Sequence, residues 1–455
     1  MALDPTVFRE YDIRGVVDRD LTEEVVERSG LALGTLLRRA GGRTAVVGRD
    51  CRLSGERLAG RMTAALRRTG VDVVDLGVVP TPLTYFAAAT FGVDGMCMVT
   101  GSHNPPDYNG LKLGLGTTTL HGAGIQEVRR LAESGPFEAG SGALRPRDVV
   151  GPYLDHVAGN IRLGPRRLKV VVDAGNGTGG AVAVPLFRRL GIEVVPLFVE
   201  MDGRFPNHHP DPTVEANLRQ LKEKVLEVRA DAGIAYDGDA DRVGAVDEKG
   251  QVLWGDQLMI LFSRALLAEV PGAAIVAEVK CSMTLYDDIA ARGGRAVMWK
   301  AGHSLIKAKM KEEGALLAGE MSGHIFFGHR WLGFDDGIYS SARLLELLSR
   351  ESRPLSALLA DVPRTFTTPE LRQDCPEAKK FEVVRRAQEW FAARYQAVTV
   401  DGVRVVFPDG WGLVRASNTQ PLLVLRFEAK TPERLAEIRA LVEGKVREIQ
   451  RELGG

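Results

Sequence analysis

Three times along the chain, a short run of β-branched residues ends in a glycine-rich loop and gives way to a helical stretch. Thr44-Ala45-Val46-Val47-Gly48 leads through Arg49-Asp50 to a helix-like segment over 57–70 and a second apolar run over 71–76. The valines of 169–173 are followed by glycines, a helix-like segment to Gly191 and an apolar run over 192–199. Runs at 273–279 and 296–299 bracket a helical segment over 284–292 in the same way. Strands alternating with helices at this spacing predict α/β units with largely parallel pairing. The C-terminal stretch breaks the rhythm. Runs at 404–407, 412–415 and 422–428 are closely spaced strands joined by turn residues, and an amphipathic helix over 432–453 follows. That pattern predicts an antiparallel α+β unit. A chain of 455 residues holds roughly three or four domains at ~100–200 residues each. Turn-rich stretches at 135–146, 248–250 and 363–369 mark the expected boundaries.

Composition narrows the function classes. Lys plus Arg and Asp plus Glu both number 59, so neither sign dominates, which argues against a general nucleic-acid or membrane-surface binder. No apolar run approaches ~18 residues, and Met1-Ala2-Leu3-Asp4-Pro5 lacks the basic and apolar regions of a signal peptide. The expectation is a cytoplasmic protein. Cys51, Cys97, Cys281 and Cys375 lie far apart with no C-x-x-C pair, which predicts reduced, mostly buried thiols.

Five stretches offer chemistry. Thr100-Gly101-Ser102-His103-Asn104-Pro105 follows an apolar run, placing the Ser102 hydroxyl at a strand's carboxyl end, where ligands gather in α/β sheets. Gly101 admits a phosphate to the backbone, and His103 or a metal can activate Ser102. The same residues also read as a turn that simply ends a strand. In Tyr236-Asp237-Gly238-Asp239-Ala240-Asp241-Arg242, carboxylates at alternate positions form a compact oxygen cage for a hard divalent cation. Without a cation they would repel one another. An EF-hand loop is excluded, although Glu248 falls at its twelfth position. Arg242 stands where that loop needs glycine, and the flanking runs are strands. Gly175-Asn176-Gly177-Thr178-Gly179-Gly180 has the outward pattern of a dinucleotide-binding turn, with Glu200 twenty residues beyond Gly180, but reads first as a tight strand-to-helix turn that needs small residues for close packing. Ala318-Gly319-Glu320-Met321-Ser322-Gly323-His324 combines carboxylate, hydroxyl and imidazole in a way that suits vicinal sugar hydroxyls. Arg415-Ala416-Ser417-Asn418-Thr419-Gln420-Pro421 joins two strands and offers an Arg fork beside a turn of backbone N–H groups, an anion-binding concavity.

Read together and in order, these stretches resemble the α-D-phosphohexomutase family, in its bifunctional phosphomannomutase/phosphoglucomutase branch. Phe8-Arg9-Glu10-Tyr11-Asp12-Ile13-Arg14-Gly15 is similar to that family's opening motif. The resemblance implies three similar mixed α/β domains (1–148, 149–250 and 251–365) and a C-terminal α+β domain (366–455) like the TATA-box binding protein fold, all around a central cleft. A fold analogy of that kind does not imply DNA binding. It implies Ser102 stored as phosphoserine, one Mg²⁺ held by Ser102, Asp237, Asp239 and Asp241, and a hexose 1,6-bisphosphate intermediate that reorients. Arg242 would add a donor near the phosphoryl oxygens, and His103, Lys112 and His324 would share proton transfer. Tyr11, Arg14, Lys280, His303, Glu320, Ser322 and His324 would meet the phosphosugar. Arg415, Ser417, Asn418 and Thr419 would hold its distant phosphate. Met321 and the segment over 326–340 resemble the mannose/glucose branch, and phosphoglucosamine mutase is the alternative. The stretch 363–369 is the expected hinge on which the fourth domain closes.

Overall fold

The computed structural model describes residues 3–417 and 421–454. The chain divides into two compact units, Met1–Phe262 with Ser322–Leu358, and Ser263–Met321 with Leu359–Gly455.

The first unit contains two mixed sheets. In the first, the strand order is Ile13–Val16, Tyr108–Leu115, Gly95–Val99, Thr44–Arg49, Asp72–Val78, Leu144–Pro146. In the second it is Val252–Leu253, Val243–Asp247, Ala232–Tyr236, Lys169–Asp173, Glu193–Leu197. The inner strands pair in parallel, as the β-branched runs predict, but each sheet also carries antiparallel neighbours. The turn-rich stretch over 135–146 is knitted into the first sheet, because Leu144, Arg145 and Pro146 pair in parallel with Val73, Val74 and Asp75. Fully buried valines and leucines of both sheets, with the apolar faces of helices such as Glu23–Arg39 and Gly55–Arg68, form the cores.

In the second unit, Arg295–Trp299, Ala274–Glu278 and Leu317–Gly319 run parallel in that order. The C-terminal sheet is antiparallel throughout, with Val403–Phe407, Gly410–Ala416 and Leu422–Ala429 at its centre and helices Glu377–Ala392 and Pro432–Glu452 packed against it. Buried side chains tie this sheet to the loop after Glu278. Arg404 donates to the carbonyls of Val279 (2.6 Å) and Cys281 (2.8 Å), and Arg426 to that of Lys280 (2.8 Å). Glu428 accepts from Ser282 Oγ (2.5 Å) and from Trp411 Nε1 (2.6 Å). Among the described residues no helix is long and apolar enough to cross a membrane. The four cysteines are free thiols; three are buried and Cys51 is half-buried.

One joint in the first unit titrates. Asp336 caps helix Gly337–Arg350 through the Tyr339 N–H (2.8 Å) and accepts from the Tyr153 hydroxyl (2.9 Å). Burial pushes its carboxyl up to about 7. The unfolded chain releases that proton near ~3.9, so between these values the folded state holds one proton more. Stability from this group is therefore full in acid and falls as pH rises toward 7, by up to about 4 kcal/mol. Asn caps a helix equally well and cannot ionise. Asp336→Asn should gain stability over the wild type by an amount that widens from pH 4.5 to pH 8 in urea unfolding. A constant or narrowing gap would contradict the assignment.

Candidate active site

Ser102 lies in the connection between two antiparallel neighbours, Gly95–Val99 and Tyr108–Leu115. The acidic stretch occupies the equivalent place in the second sheet, where Tyr236 pairs with Val243 across the turn. Both loops are thus hairpin connections rather than strand-to-helix turns, and they meet. An ideal Cβ on Gly238 would stand 2.5 Å from the Ser102 carbonyl oxygen, so only glycine permits this approach. Ser102 Oγ donates to Asp237 Oδ2 at 2.8 Å and lies 3.2 Å from His103 Nδ1. Its backbone is left-handed (φ 49°), a conformation costly for a side chain outside glycine and found at working sites.

The Ser102 loop is held from beneath by Asp50 and Arg52, both buried. Asp50 Oδ2 accepts from Thr100 Oγ1 (2.7 Å) and the Gly101 N–H (3.2 Å). Arg52 spends its guanidinium on Asp50 and on the carbonyls of Ser102, Asn104, Pro105 and Tyr108. Arg14 reaches the same loop, with Nη1 2.5 Å from Asn104 Oδ1 and Nη2 2.5 Å from Asp12 Oδ2, and the half-buried Tyr11 lies near Arg14.

Asp237, Asp239 and Asp241 are fully buried and bring carboxylate oxygens within 4.8 Å of one another. Lys112, on the returning strand, donates to Asp239 Oδ2 at 2.8 Å and to Asp241 Oδ2. Thr81 Oγ1 also donates to Asp239 Oδ2, at 2.5 Å. Burial, then the charges of Asp239 and Asp241, push Asp237 well above the carboxylate range. Burial acts the same way on Asp239, but Lys112 and the hydrogen bonds to it more than offset this and hold Asp239 low. Asp239 Oδ1 and Asp241 Oδ1 are buried and accept no hydrogen bond. Buried oxygens without donors are costly, and a hard cation is the partner that oxygen donors of this kind fit. The cage therefore suits Mg²⁺.

Asp241, His324 and Asp335 form a second such group. Its chemistry is different. His324 Nε2 accepts from Arg242 Nε at 2.9 Å, which leaves the ring proton on Nδ1, the atom facing the two aspartates. A protonated nitrogen offers no lone pair to a metal. Arg242 itself donates its backbone N–H to Asp237 Oδ1 (3.2 Å), and its Nε lies 3.9 Å from Asp237 Oδ2. Burial, then the charges of Arg242 and Arg14, hold His103 well below the ordinary imidazole range. Ser102, His103, Lys112, the three aspartates, Arg242 and His324 thus come together in the first unit, to which the half-buried Ser322 also belongs.

The glycine stretch over 175–180 is not a dinucleotide cradle. Gly177 packs on the acidic loop so closely that a Cβ would stand 2.6 Å from the Gly238 carbonyl oxygen, and Thr178 N–H donates to that oxygen at 3.0 Å. A site with no room for a methyl group has none for a pyrophosphate. The glycines are there to let the two loops touch.

The second unit gathers another cluster. Lys280 Nζ lies 3.6 Å from Glu278 Oε2 and 3.2 Å from Glu370 Oε2. Burial pushes Glu278 up to about 7, against the opposing charge of Lys280. Glu320 Oε1 accepts from the Gly302 N–H at 2.6 Å, beside the buried His303. Arg415 Nε donates to Asp401 Oδ2 at 2.9 Å, and the buried Lys380 holds the Ser417 carbonyl at 2.6 Å. Asn418 and Thr419 lie outside the described residues.

Sequence models of the phosphoglucomutase/phosphomannomutase family match nearly the whole chain, with α/β/α domain I at residues 5–137, domain II at 151–250, domain III at 254–366 and the C-terminal domain at 370–445. The chain belongs to this family. A phosphomannomutase/phosphoglucomutase of Pseudomonas aeruginosa is 46% identical over 454 residues, spanning 99% of this chain and 97% of its own. A phosphoglucomutase of Neisseria gonorrhoeae is 45% identical over 437 residues, 95% of each chain. The crystal structure of a phosphoglucomutase/phosphomannomutase family protein from Burkholderia thailandensis shares the fold with a TM-score of 0.93 at 46% identity, over 99% of this chain and 98% of that one. The four-domain architecture of this phosphohexomutase family, three α/β domains and a C-terminal α+β domain, is thus the fold class of this chain.

Proposed function

We propose that the protein interconverts the 1-phosphates and 6-phosphates of mannose and glucose, with Ser102 as the residue that stores the phosphoryl group. The observation that carries this reading is the 2.8 Å hydrogen bond from Ser102 Oγ to Asp237, a buried hydroxyl set against three clustered aspartates in a chain of this family. The relatives' names support mannose and glucose as the sugars. These differ at the 2-hydroxyl, so a site indifferent to that group accepts both. We read the domains as 1–148, 149–250, 251–365 and 366–455.

In the forward step the P–O bond to Ser102 breaks and a new one forms at the free hydroxyl of the sugar phosphate. The hydroxyl's proton passes by way of the basic groups around Ser102, of which His103 Nδ1 stands 3.2 Å from Oγ, to the departing serine oxygen. The product is a hexose 1,6-bisphosphate. After it reorients, its other phosphate returns to Ser102, so nothing is consumed and the net change is an isomerisation. Asp237, Asp239 and Asp241 would hold Mg²⁺, which neutralises charge on the transferring group. Arg242 and Lys112 supply fixed positive charge at the same loops. We read Arg415 and Ser417, with Asn418 and Thr419, as the residues for the phosphate that is not reacting, and Lys280, His303, Glu320 and Ser322 as residues for the rest of the phosphosugar.

The test is isomerisation of glucose 1-phosphate and mannose 1-phosphate with Mg²⁺ and catalytic glucose 1,6-bisphosphate, with glucosamine 1-phosphate as the comparison substrate. Turnover of both hexose phosphates, stopped by EDTA and restored by Mg²⁺, is expected. Absence of turnover with either would refute the reading.

A further inference from the structure

Both ring nitrogens of His324 face polar partners. Arg242 Nε donates to Nε2 at 2.9 Å, and Nδ1 faces two carboxylates, Asp335 Oδ2 at 3.1 Å and Asp241 Oδ1 at 3.6 Å, in charge contacts outside hydrogen-bond geometry. Asp335 is fully buried, and its backbone is fixed on both sides: it bridges to Phe326, and the next residue, Asp336, caps a helix. Arg242 and His324 also bridge through their backbones, so the ring and the guanidinium share one short span of structure. A carboxylate only accepts hydrogen bonds, so Asp335 favours the imidazole that carries its proton on Nδ1. The opposite tautomer would turn an N–H toward the Nε–H of Arg242, two donors facing each other. Rotation of the ring by half a turn would replace the acceptor with a carbon. The Arg242 side chain, whose Nε lies 3.9 Å from Asp237 Oδ2, is therefore only as well placed as the ring that holds that Nε.

We infer that Asp335 is a positioning residue: by fixing the tautomer and ring orientation of His324 it holds the Arg242 guanidinium toward the phosphoryl group on Ser102. The inference rests on the phosphoryl-transfer reading above. Carboxylates that orient a metal-bound histidine are worth ~10- to ~100-fold, and a loss of the same order is expected where the oriented ring holds an arginine instead. The loss falls on kcat rather than KM, because Arg242 acts on the transferring group and the sugar is bound elsewhere.

Three measurements test it on the full-length protein. Histidine-selective ¹⁵N NMR should show His324 protonated on Nδ1 in the wild type and shifted toward the Nε2-protonated form in Asp335→Ala. Steady-state kinetics should show kcat reduced within the range above and KM little changed. In a His324→Ala background, adding Asp335→Ala should cost almost nothing further, since the intermediary is gone. Asp335→Asn, which keeps an oxygen facing Nδ1, should recover part of both the spectrum and kcat, and it serves if the alanine variant does not fold. An unchanged tautomer, or losses that add in the double variant, would overturn the inference. A tautomer shift in a protein without mutase activity would instead overturn the phosphoryl-transfer reading and leave only Asp335's hold on the His324 tautomer standing.

Discussion

Ser102→Ala is expected to lower isomerisation of glucose 1-phosphate by at least ~10³-fold and to abolish the phosphatase-removable mass increment of one phosphoryl group. Two threonine hydroxyls at these loops are not free to substitute. The neighbouring Thr100 and Thr81 hydroxyls are already donated to Asp50 and Asp239. The fold should survive. The substitution deletes one hydrogen bond to Asp237, worth about 1 kcal/mol net, and alanine is no worse than serine at a left-handed φ of 49°. Glycine adopts that conformation freely, so Ser102→Gly should be equally inactive yet more stable than Ser102→Ala, by about 1 kcal/mol or more. The pair thereby separates chemistry from folding. Two inactive proteins, both able to bind Mg²⁺ and sugar phosphate, are the expected result. An alanine variant retaining more than about a tenth of wild-type turnover would end the account, because no stored phosphoryl group could then be required.

The chain's sequence exposes what is periodic or repeated in kind, and hides what depends on partners far along it. The valine runs at 44–48 and 169–173 announce parallel strands, and Thr44–Arg49 and Lys169–Asp173 are such strands. Alternation alone does not reveal that Tyr108–Leu115 and Val243–Asp247 return antiparallel, since both are buried on two faces and read as continuous runs. Three aspartates at alternate positions are legible because the donor set is local. The partners that tune them are not: Lys112 and Thr81 reach Asp239 from more than a hundred residues away. In the second unit Glu278, Glu370 and Asp401 were likewise out of sight, though an acid closing an apolar strand two residues before Lys280 is a signal that could have found the first of them. Asp335 stands in a stretch that resembles the family, but only the fold brings it to the ring of His324. The glycines over 175–180 carry the opposite lesson. Their pattern fits a ligand cradle, and what they admit is another loop.

Arg52 left the faintest trace in sequence, an Asp-x-Arg directly after a buried strand, and its replacement should be among the most damaging in the chain. Its side chain is wholly buried and all its donors are engaged: Nε with Asp50 Oδ2 at 3.1 Å, Nη1 with the carbonyls of Pro105 and Tyr108 at 2.5 and 2.9 Å, Nη2 with those of Ser102 and Asn104 at 2.8 and 2.6 Å. Arg52→Ala leaves Asp50 buried without its counter-charge and four carbonyls without donors. Breaking one buried pair in this way costs about 3–5 kcal/mol. Arg52→Lys keeps the charge but brings three donors from a single point instead of five in a planar fork, so it cannot span the loop from Ser102 to Tyr108. It should retain most of the stability that the charge provides and little of the order in the loop. Lysine should therefore depress kcat by at least ~10-fold while lowering the unfolding free energy by less than alanine does, as urea titration and steady-state kinetics would report. The distinction matters because the Ser102 carbonyl that Arg52 grips is the same oxygen against which Gly238 packs. A clamp at that point sets the distance between hydroxyl and aspartates, and an Arg52→Lys enzyme with wild-type kcat would show that the loop keeps its shape without it.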